Sequence, residues 1–226
     1  MTMDTRRLEV EWLDELPAED PRARRSRADL RRVNGIMGNA RIVAGALAGT
    51  PQSIVDLGAG DGAFALRLAR ALPKPPLHVT LVDRQDIVSP ETRRGFEAIG
   101  TRVAVARHDV FDWLERVPAR SDAIVANLFL HHFEDEPLAR LLSLAARKAP
   151  LFVACEPRRS AFALAGARLL GAIGCNDVTR HDAAVSVRAG FRGDELSRLW
   201  PAGGWALREE KRGGFSHLFS ARHNAA

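Results

Sequence analysis

Polar residues of this 226-residue chain recur where short β-prone runs end. Asp56 follows Ile54-Val55, Asp83 follows Leu81-Val82, and Asp109 comes just after the run Thr101 to Arg107. Asn127 and Glu156 hold the same place on two later runs. An open α/β sheet binds its ligands at that edge, so such a row reads as the lining of a site. Behind Asp56 lies Gly58-Ala59-Gly60-Asp61-Gly62. Backbone without Cβ turns sharply and can lie against a ligand, and the N–H groups opening the next helix face the same loop. The chemistry indicated is binding of a nucleotide-type cofactor.

Which cofactor turns on charge. Gly58, Gly60 and Ala63 also satisfy the looser dinucleotide fingerprint, with Asp83 standing 20 residues past Ala63 where a ribose-binding acid belongs. A carboxylate at position 56 would repel a pyrophosphate, however, and attract a cationic amine or a sulfonium. Asp109, followed by Val110 and Phe111, suits an adenine ring that is hydrogen-bonded at its amino group and packed between apolar side chains.

His131 and His132 follow the fourth β-prone run. A neutral imidazole there can take a proton near pH 7 from an attacking acceptor. Either histidine can equally cap the next helix or pack against Phe133. Arg158 and Arg159, with Arg180, His181, Asp182 and Arg188, can line a polar substrate end or be plain surface charges. Cys155 and Cys175 have no Cys or His partner at metal-ligand spacing and read as buried small apolar residues, so no metal is expected.

The elements that must position these groups alternate. Strands are predicted at Ser53 to Leu57, His78 to Asp83, Thr101 to Arg107, Asp122 to Asn127 and Leu151 to Glu156. Helices are predicted behind the glycine loop, from Ser89-Pro90, over Asp109 to Val117, over Glu136 to Ala146, at 160–173 and at 194–200. This order predicts a parallel sheet with helices on both faces. Trp205 to Lys211 and Phe215 to Ala221, joined at Gly213-Gly214, predict a closing β-hairpin. Cys175 to Gly193 reads as an irregular connection. At the N-terminus a short helix or arm precedes a helix expected to start at Ser26, whose spacing to Asp29 fits a capping box, and to break at 34–39.

Composition sets outer bounds. Hydrophobic residues make up 46% and charged residues 27%, ordinary for a globular protein. No unbroken apolar run approaches the length of a membrane span, and no signal-type start is visible, so a cytoplasmic protein is expected. The net charge is +5, but residues 1 to 21 are acidic while 22 to 32 carry six arginines. The excess is therefore local, and nucleic acid is not expected as a partner.

Taken together, Val55 to Gly62, Leu81-Val82-Asp83, His108 to Phe111 and Ile124 to Phe133 resemble the four motifs of the class I S-adenosylmethionine-dependent methyltransferases. The resemblance runs from about Asn34 to Ala221. It implies an α/β, Rossmann-like, doubly wound sheet of seven strands, mostly parallel with the last antiparallel, under an N-terminal helical cover. Residues 1–50 would be the cover and 51–226 the catalytic domain, in one folding unit. The implied cofactor is S-adenosyl-L-methionine, with Gly58 and Gly60 behind it, Asp56 at its amino-acid end, and Asp83 on both ribose hydroxyls. Asp109 and Val110 would meet adenine, and Asn127 would lie near the methionine moiety.

Asn127 to Phe133 is similar to members acting in quinone biosynthesis and polyketide tailoring, and lacks the Asn/Asp-Pro-Pro-Tyr signature of enzymes that methylate nucleic-acid amines. The expectation is methyl transfer to a small-molecule acceptor, at a phenolic or enolic oxygen, with His131 and His132 as catalytic candidates and Arg158 and His181 as substrate contacts. Carbon methylation of a quinone-like or polyketide aromatic ring is the alternative within the enzyme class. A cofactor-binding regulatory or assembly protein is the alternative outside it.

Overall fold

Central strands of a parallel sheet are covered on both faces and so read as continuous apolar runs. Ala-Ile-Val-Ala-Asn and Leu-Phe-Val-Ala-Cys-Glu-Pro are such runs, and every residue of both is buried. The computed structural model describes residues 3–17, 19–47, 49–117 and 120–224. Its strands are β1 (Ser53–Leu57), β2 (His78–Asp83), β3 (Arg102–Arg107), β4 (Ala123–Asn127), β5 (Leu151–Pro157), β6 (Trp205–Arg212) and β7 (Ser216–His223). They form one seven-stranded sheet in the order β3-β2-β1-β4-β5-β7-β6. β1 to β5 pair in parallel, whereas β7 runs antiparallel between β5 and β6. The strand order reverses between β1 and β4, which opens a crevice at their C-terminal ends.

The helices are α1 (Trp12–Glu15), α2 (Pro21–Met37), α3 (Asn39–Ala46), α4 (Ala63–Ala71), α5 (Pro90–Glu97), α6 (Val110–Arg116), α7 (Asp135–Ala146), α8 (Ala161–Arg168), α9 (Asp177–Ala189) and α10 (Glu195–Leu199). Because side chains alternate along a strand, β1 feeds two cores. Val55 and Leu57 join Leu114, Leu138, Leu141, Phe152 and Trp200 on the face covered by α6, α7 and α10. Ile54 joins Val43, Leu47, Leu66, Leu68, Phe96 and Val153 on the other, under α3, α4 and α5. Val43 and Leu47 are fully buried. α3 is thus part of the sheet's own packing.

Two expectations about local structure are corrected. Helix α2 starts at Pro21, not Ser26, because Asp20 caps it by accepting from the Arg22 N–H at 2.7 Å while Pro21 takes the first helical position. Ser26 is buried mid-helix, where its Oγ accepts from Thr179 Oγ1 at 3.0 Å. Nor is 175–193 irregular, since most of it is α9. Asn176 caps that helix through Thr179 N–H at 2.9 Å. Its β-branched residues and its burial on two sides hide the 3.6-residue stripe that marks a surface helix. The break near 34–39 is present as a left-handed Gly38, φ 70°, between α2 and α3.

Candidate active site

The loop from β1 to α4 is held by its neighbours. The N–H groups of Gly58 and Ala59 donate to Val82 O at 2.9 and 3.1 Å, and Gly60 N–H donates to Asp83 Oδ2 at 2.9 Å. Gly58 has φ 69°, and a Cβ there would stand 2.2 Å from the Phe129 ring. Gly60, φ 54°, has nothing within 4 Å of where its Cβ would be. It fronts a cavity of about 750 Å³, ample for a nucleoside cofactor together with a small acceptor.

The polar residues at the strand ends meet around that cavity. Asp56, Gly58, Gly60, Asp83, Asp109, Val110, Asn127, His131 and His132 all line it. Asp56 is 1% exposed, and its Oδ2 has no hydrogen-bond partner. Burial, and then the nearby Asp83, push its pKa well above the usual carboxylate range. Such a carboxylate calls for a cation. Asp83 also accepts from Gln85 N–H, and Asp109 caps α6 by accepting from Phe111 N–H, both at 2.9 Å. Asn127 Oδ1 accepts from Asn39 Nδ2 at 2.9 Å, and Asn39 Oδ1 accepts from Ser216 Oγ at 2.9 Å. This leaves the Nδ2 donors of Asn127 for the cavity. Asn34, on α2, lines the cavity with an unpartnered buried Oδ1.

After β4 the chain enters a strained turn. Leu128 has φ 53°, a left-handed conformation that costs a bulky residue of order 1–3 kcal/mol. Glu156, at the end of β5 and fully buried, holds that turn in place. It accepts from the N–H groups of Phe129 and Leu130, each at 3.0 Å, from His131 N–H at 3.4 Å, and from His131 Nδ1 at 2.8 Å. His131 Nε2 then faces Glu11 Oε1 at 3.4 Å. Burial alone would lower the His131 pKa, but the hydrogen bonds and charges of Glu11 and Glu156 carry it up to about 9. Both carboxylates are held below the usual range by the same contacts, which outweigh their own burial.

His132 is arranged differently. Its Nδ1 lies 2.9 Å from Phe129 O, which can only accept, so Nδ1 carries a hydrogen. That Nε2 is 3.6 Å from Glu11 Oε2 and 3.9 Å from Asp14 Oδ2. Among the described residues, Glu11, His131 and His132 are the one set whose ligand-type atoms all lie within 4.8 Å of one another.

Glu11 reaches the histidines because the N-terminal arm is fastened across them. The Arg6 guanidinium donates to Ala189 O, Phe133 O and His131 O at 3.0, 2.9 and 3.4 Å, pairs with Asp135 at 2.8 Å, and lies over the Phe191 ring. The Trp12 and Leu13 N–H groups donate to Asp182 at 2.9 and 3.0 Å, and Ser186 Oγ donates to Glu11. Charge-assisted hydrogen bonds are worth roughly 1.5–3 kcal/mol each. Arg6→Ala should therefore open the arm at least about tenfold more often, read as faster amide exchange at Arg7, Trp12 and Leu13. Unchanged exchange at those amides would remove Arg6 as the fastener.

Two substrate candidates are not brought to the cavity wall. Arg158 is tied into the sheet edge, its N–H donating to Phe215 O and its backbone bridging Phe191. His181 is stacked on Trp12 at 3.9 Å between ring centres and bonded to Asp182 at 2.9 Å. Arg159, beside them, is buried in a pair with Glu195. These positions serve packing and the seating of the arm. Conversely, Glu11 and Ser186 line the cavity although nothing in their local sequence marks them.

Comparison with known proteins agrees with this geometry. Residues 54–149 match the methyltransferase domain family. An uncharacterized methyltransferase of Mycobacterium tuberculosis is 38% identical over 84 residues, 37% of this chain and 39% of that protein. The 6-hydroxytryprostatin B O-methyltransferase of Aspergillus fumigatus is 32% identical over 103 residues, 45% of this chain and 28% of that one. The chain thus spans well under half the length of these relatives in the aligned region. In fold, the plantazolicin methyltransferase BpumL, solved with S-adenosylhomocysteine, superposes with a TM-score of 0.66 at 13% identity, covering 91% of each chain. The chain here therefore shares the fold of that protein, with β7 inserted antiparallel. That insertion separates it from the dinucleotide-binding sheet, whose classic strand order is 3-2-1-4-5-6. No helix among the described residues is long and apolar enough to cross a membrane.

The residues around the cavity fit S-adenosylmethionine on their own terms. Asp56 supplies a buried carboxyl group, with an unpartnered oxygen, that a cationic amine would pair with and hold ionised, and Gly60 supplies backbone with open space before it. Asp83 and Asp109 supply acceptors on the same wall.

Proposed function

We propose that this chain is a cytoplasmic enzyme that transfers a methyl group from S-adenosylmethionine to a phenolic or enolic oxygen of a small molecule. The observation that carries the reading is the buried Glu156–His131 pair opening onto the same cavity as Asp56, Gly60 and Asp83. A base oriented by a fixed carboxylate is the arrangement that acceptor deprotonation requires. The Aspergillus relative, named for an O-methyl transfer, supports oxygen as the acceptor atom.

The bound cofactor supplies a methyl group on a sulfonium, open to in-line attack. Asp56 and Asn127 hold its amino-acid end, Gly58 and Gly60 leave room for its body, Asp83 accepts from both ribose hydroxyls, and Asp109 with Val110 holds the adenine. Glu156 fixes the His131 ring through Nδ1, so its Nε2 faces the cavity. An acceptor hydroxyl reaches that nitrogen only by taking the place of the Glu11 carboxylate. Losing one of its two carboxylate partners then lowers the His131 pKa from about 9 towards the working range of a base. His132 Nε2 lies alongside and orients the acceptor oxygen. The arm and α9, which wall the cavity, would keep water from the acceptor and the cofactor.

Calorimetric titration should show S-adenosylhomocysteine binding and no competition from NAD, and Asp83→Ala should weaken that binding by roughly 1.5–3 kcal/mol. Preferential binding of NAD would sink the cofactor assignment. With a panel of phenolic acceptors and labelled cofactor, label should appear in an O-methyl product and survive EDTA, because proton transfer through His131 needs no cation. Label on a ring carbon would replace the oxygen reading, and binding with no product from any acceptor would favour the regulatory one.

A further inference from the structure

Helix α8 and the 3-10 turn that continues it, Leu169–Ile173, turn an apolar face outward. Phe162 is 64% exposed, Leu169 67% and Ile173 49%, while Ala161, Ala165 and Ala172 beside them are exposed as well. The spacing of Phe162, Ala165, Leu169 and Ala172-Ile173 makes this a helical stripe rather than scattered residues. The opposite side of α8 is satisfied, for Ala163 and Ala167 pack on Ala183, Ala184 and Val187 of α9. At the N-terminal end the stripe is extended by Phe215, in the turn between β6 and β7, whose ring lies 5.3 Å from that of Phe162.

Arginines surround this stripe. Arg168 lies on it, Arg180 packs against Gly171, and the guanidinium groups of Arg25 and Arg32 reach the carbonyls of Gly174 and Ile173 at 3.2 and 3.1 Å. Those two belong to the run of arginines on α2 and, unlike Arg27 and Arg31 of that run, do not line the cavity. No acidic residue occurs from 157 to 176. Flanking Asp177 is paired with Arg22, and Asp29 with Arg32.

We propose that this face docks on an anionic lipid surface. A convex helix with Phe, Leu and Ile outward offers no groove for a peptide, but it can sink its apolar side to the depth of the headgroups while the flanking arginines meet lipid phosphates. Charge complementarity between the basic rim and anionic headgroups, beside an exposed apolar stripe, argues for that occupant. α9 lies between α8 and the cavity, where its Val185, Ser186 and Ala189 form part of the wall. The docked surface is thus one helix away from the acceptor. The proposal does not depend on methyl transfer, and its test uses no turnover.

The experiment is flotation of the full chain with vesicles of phosphatidylcholine alone or of an equimolar mixture with phosphatidylglycerol, at low and high salt. Binding is expected only to the anionic vesicles and should fall with salt. Leu169→Asp with Ile173→Asp should reduce it about tenfold or more, and so should Arg25→Glu with Arg168→Glu. Unchanged melting temperature and unchanged S-adenosylhomocysteine affinity would show each variant folded. Equal binding to neutral and anionic vesicles, no binding to either, or full binding by the folded variants would overturn the proposal. So would self-association of the wild-type chain that Leu169→Asp abolishes without any vesicle binding, since the face would then belong to a second copy.

Discussion

His131→Ala should lower turnover by about 10²-fold or more while leaving cofactor affinity nearly unchanged, because a general base contributes roughly 10²–10⁴-fold. His132→Ala should act mainly on acceptor KM, since its Nε2 orients oxygen without the buried carboxylate behind it. The pH profile separates these roles further. In the free enzyme Glu11 and Glu156 hold the His131 pKa at about 9, so the base is protonated at neutral pH. The kcat/KM for the acceptor, which reports the free enzyme, should rise with pH until about 9, and kcat should level off at lower pH. Glu11→Gln removes one of the carboxylates and should move the kcat/KM limb to lower pH. A His131→Ala protein with normal turnover, or a limb that Glu11→Gln leaves in place, would exclude His131 as the base. A folded double mutant with normal turnover and normal acceptor KM would leave alignment as the sole source of catalysis.

Glu156→Ala is expected to cost about 3–5 kcal/mol of stability, the usual penalty for removing one partner of a buried charged pair. The carboxylate is fully buried and serves three backbone N–H groups besides the imidazole. Its loss also frees the turn at Leu128, whose left-handed backbone persists only while its surroundings hold it. The sign of the pH dependence follows from the same pair. A histidine raised from 6.5 to about 9 contributes stability that is complete below 6.5 and is lost as pH rises through 9. Glu156, held despite its burial below the ordinary carboxylate value of 4.5 by His131 and the backbone N–H groups, contributes stability above that value and loses it as pH falls through its folded pKa. Thermal unfolding should therefore peak between about 4.5 and 6.5 and decline on the alkaline side, and His131→Gln should flatten that decline. A flat wild-type profile from pH 6 to 9 would show that His131 is not held as an imidazolium.

The cofactor half of this site was legible because its signals are local. Asp56, the glycines, Asp83 and Asp109 each stand at a strand end, and strand ends can be read from short apolar runs and the turn residues after them. The acceptor half was not, because its partners are remote in sequence. Glu11 and His131 are 120 residues apart, and nothing distinguishes Glu11 from the other acids of the arm. Ser26-x-x-Asp29 is a genuine capping pattern, but Thr179 and Asn176, about 150 residues on, claim those side chains instead. His181 had the right chemistry, yet tertiary packing spent its ring on Asp182 and Trp12, and the backbone of Arg158 is fixed at the sheet edge away from the cavity wall.

The fastening of the arm by Arg6 also bears on the order in which the molecule forms. Its partners lie 125 to 183 residues away along the chain, so each contact closes a very long loop. Closing such loops is entropically costly and comes after local pairings. During synthesis β1 to β4, with the glycine loop, Asp83 and Asp109, emerge well before α9 and Ala189 exist to receive the arm. A nascent chain can therefore assemble the glycine-loop wall of the cavity while its other side stays open, and His131 acquires its second carboxylate only in the last steps of folding.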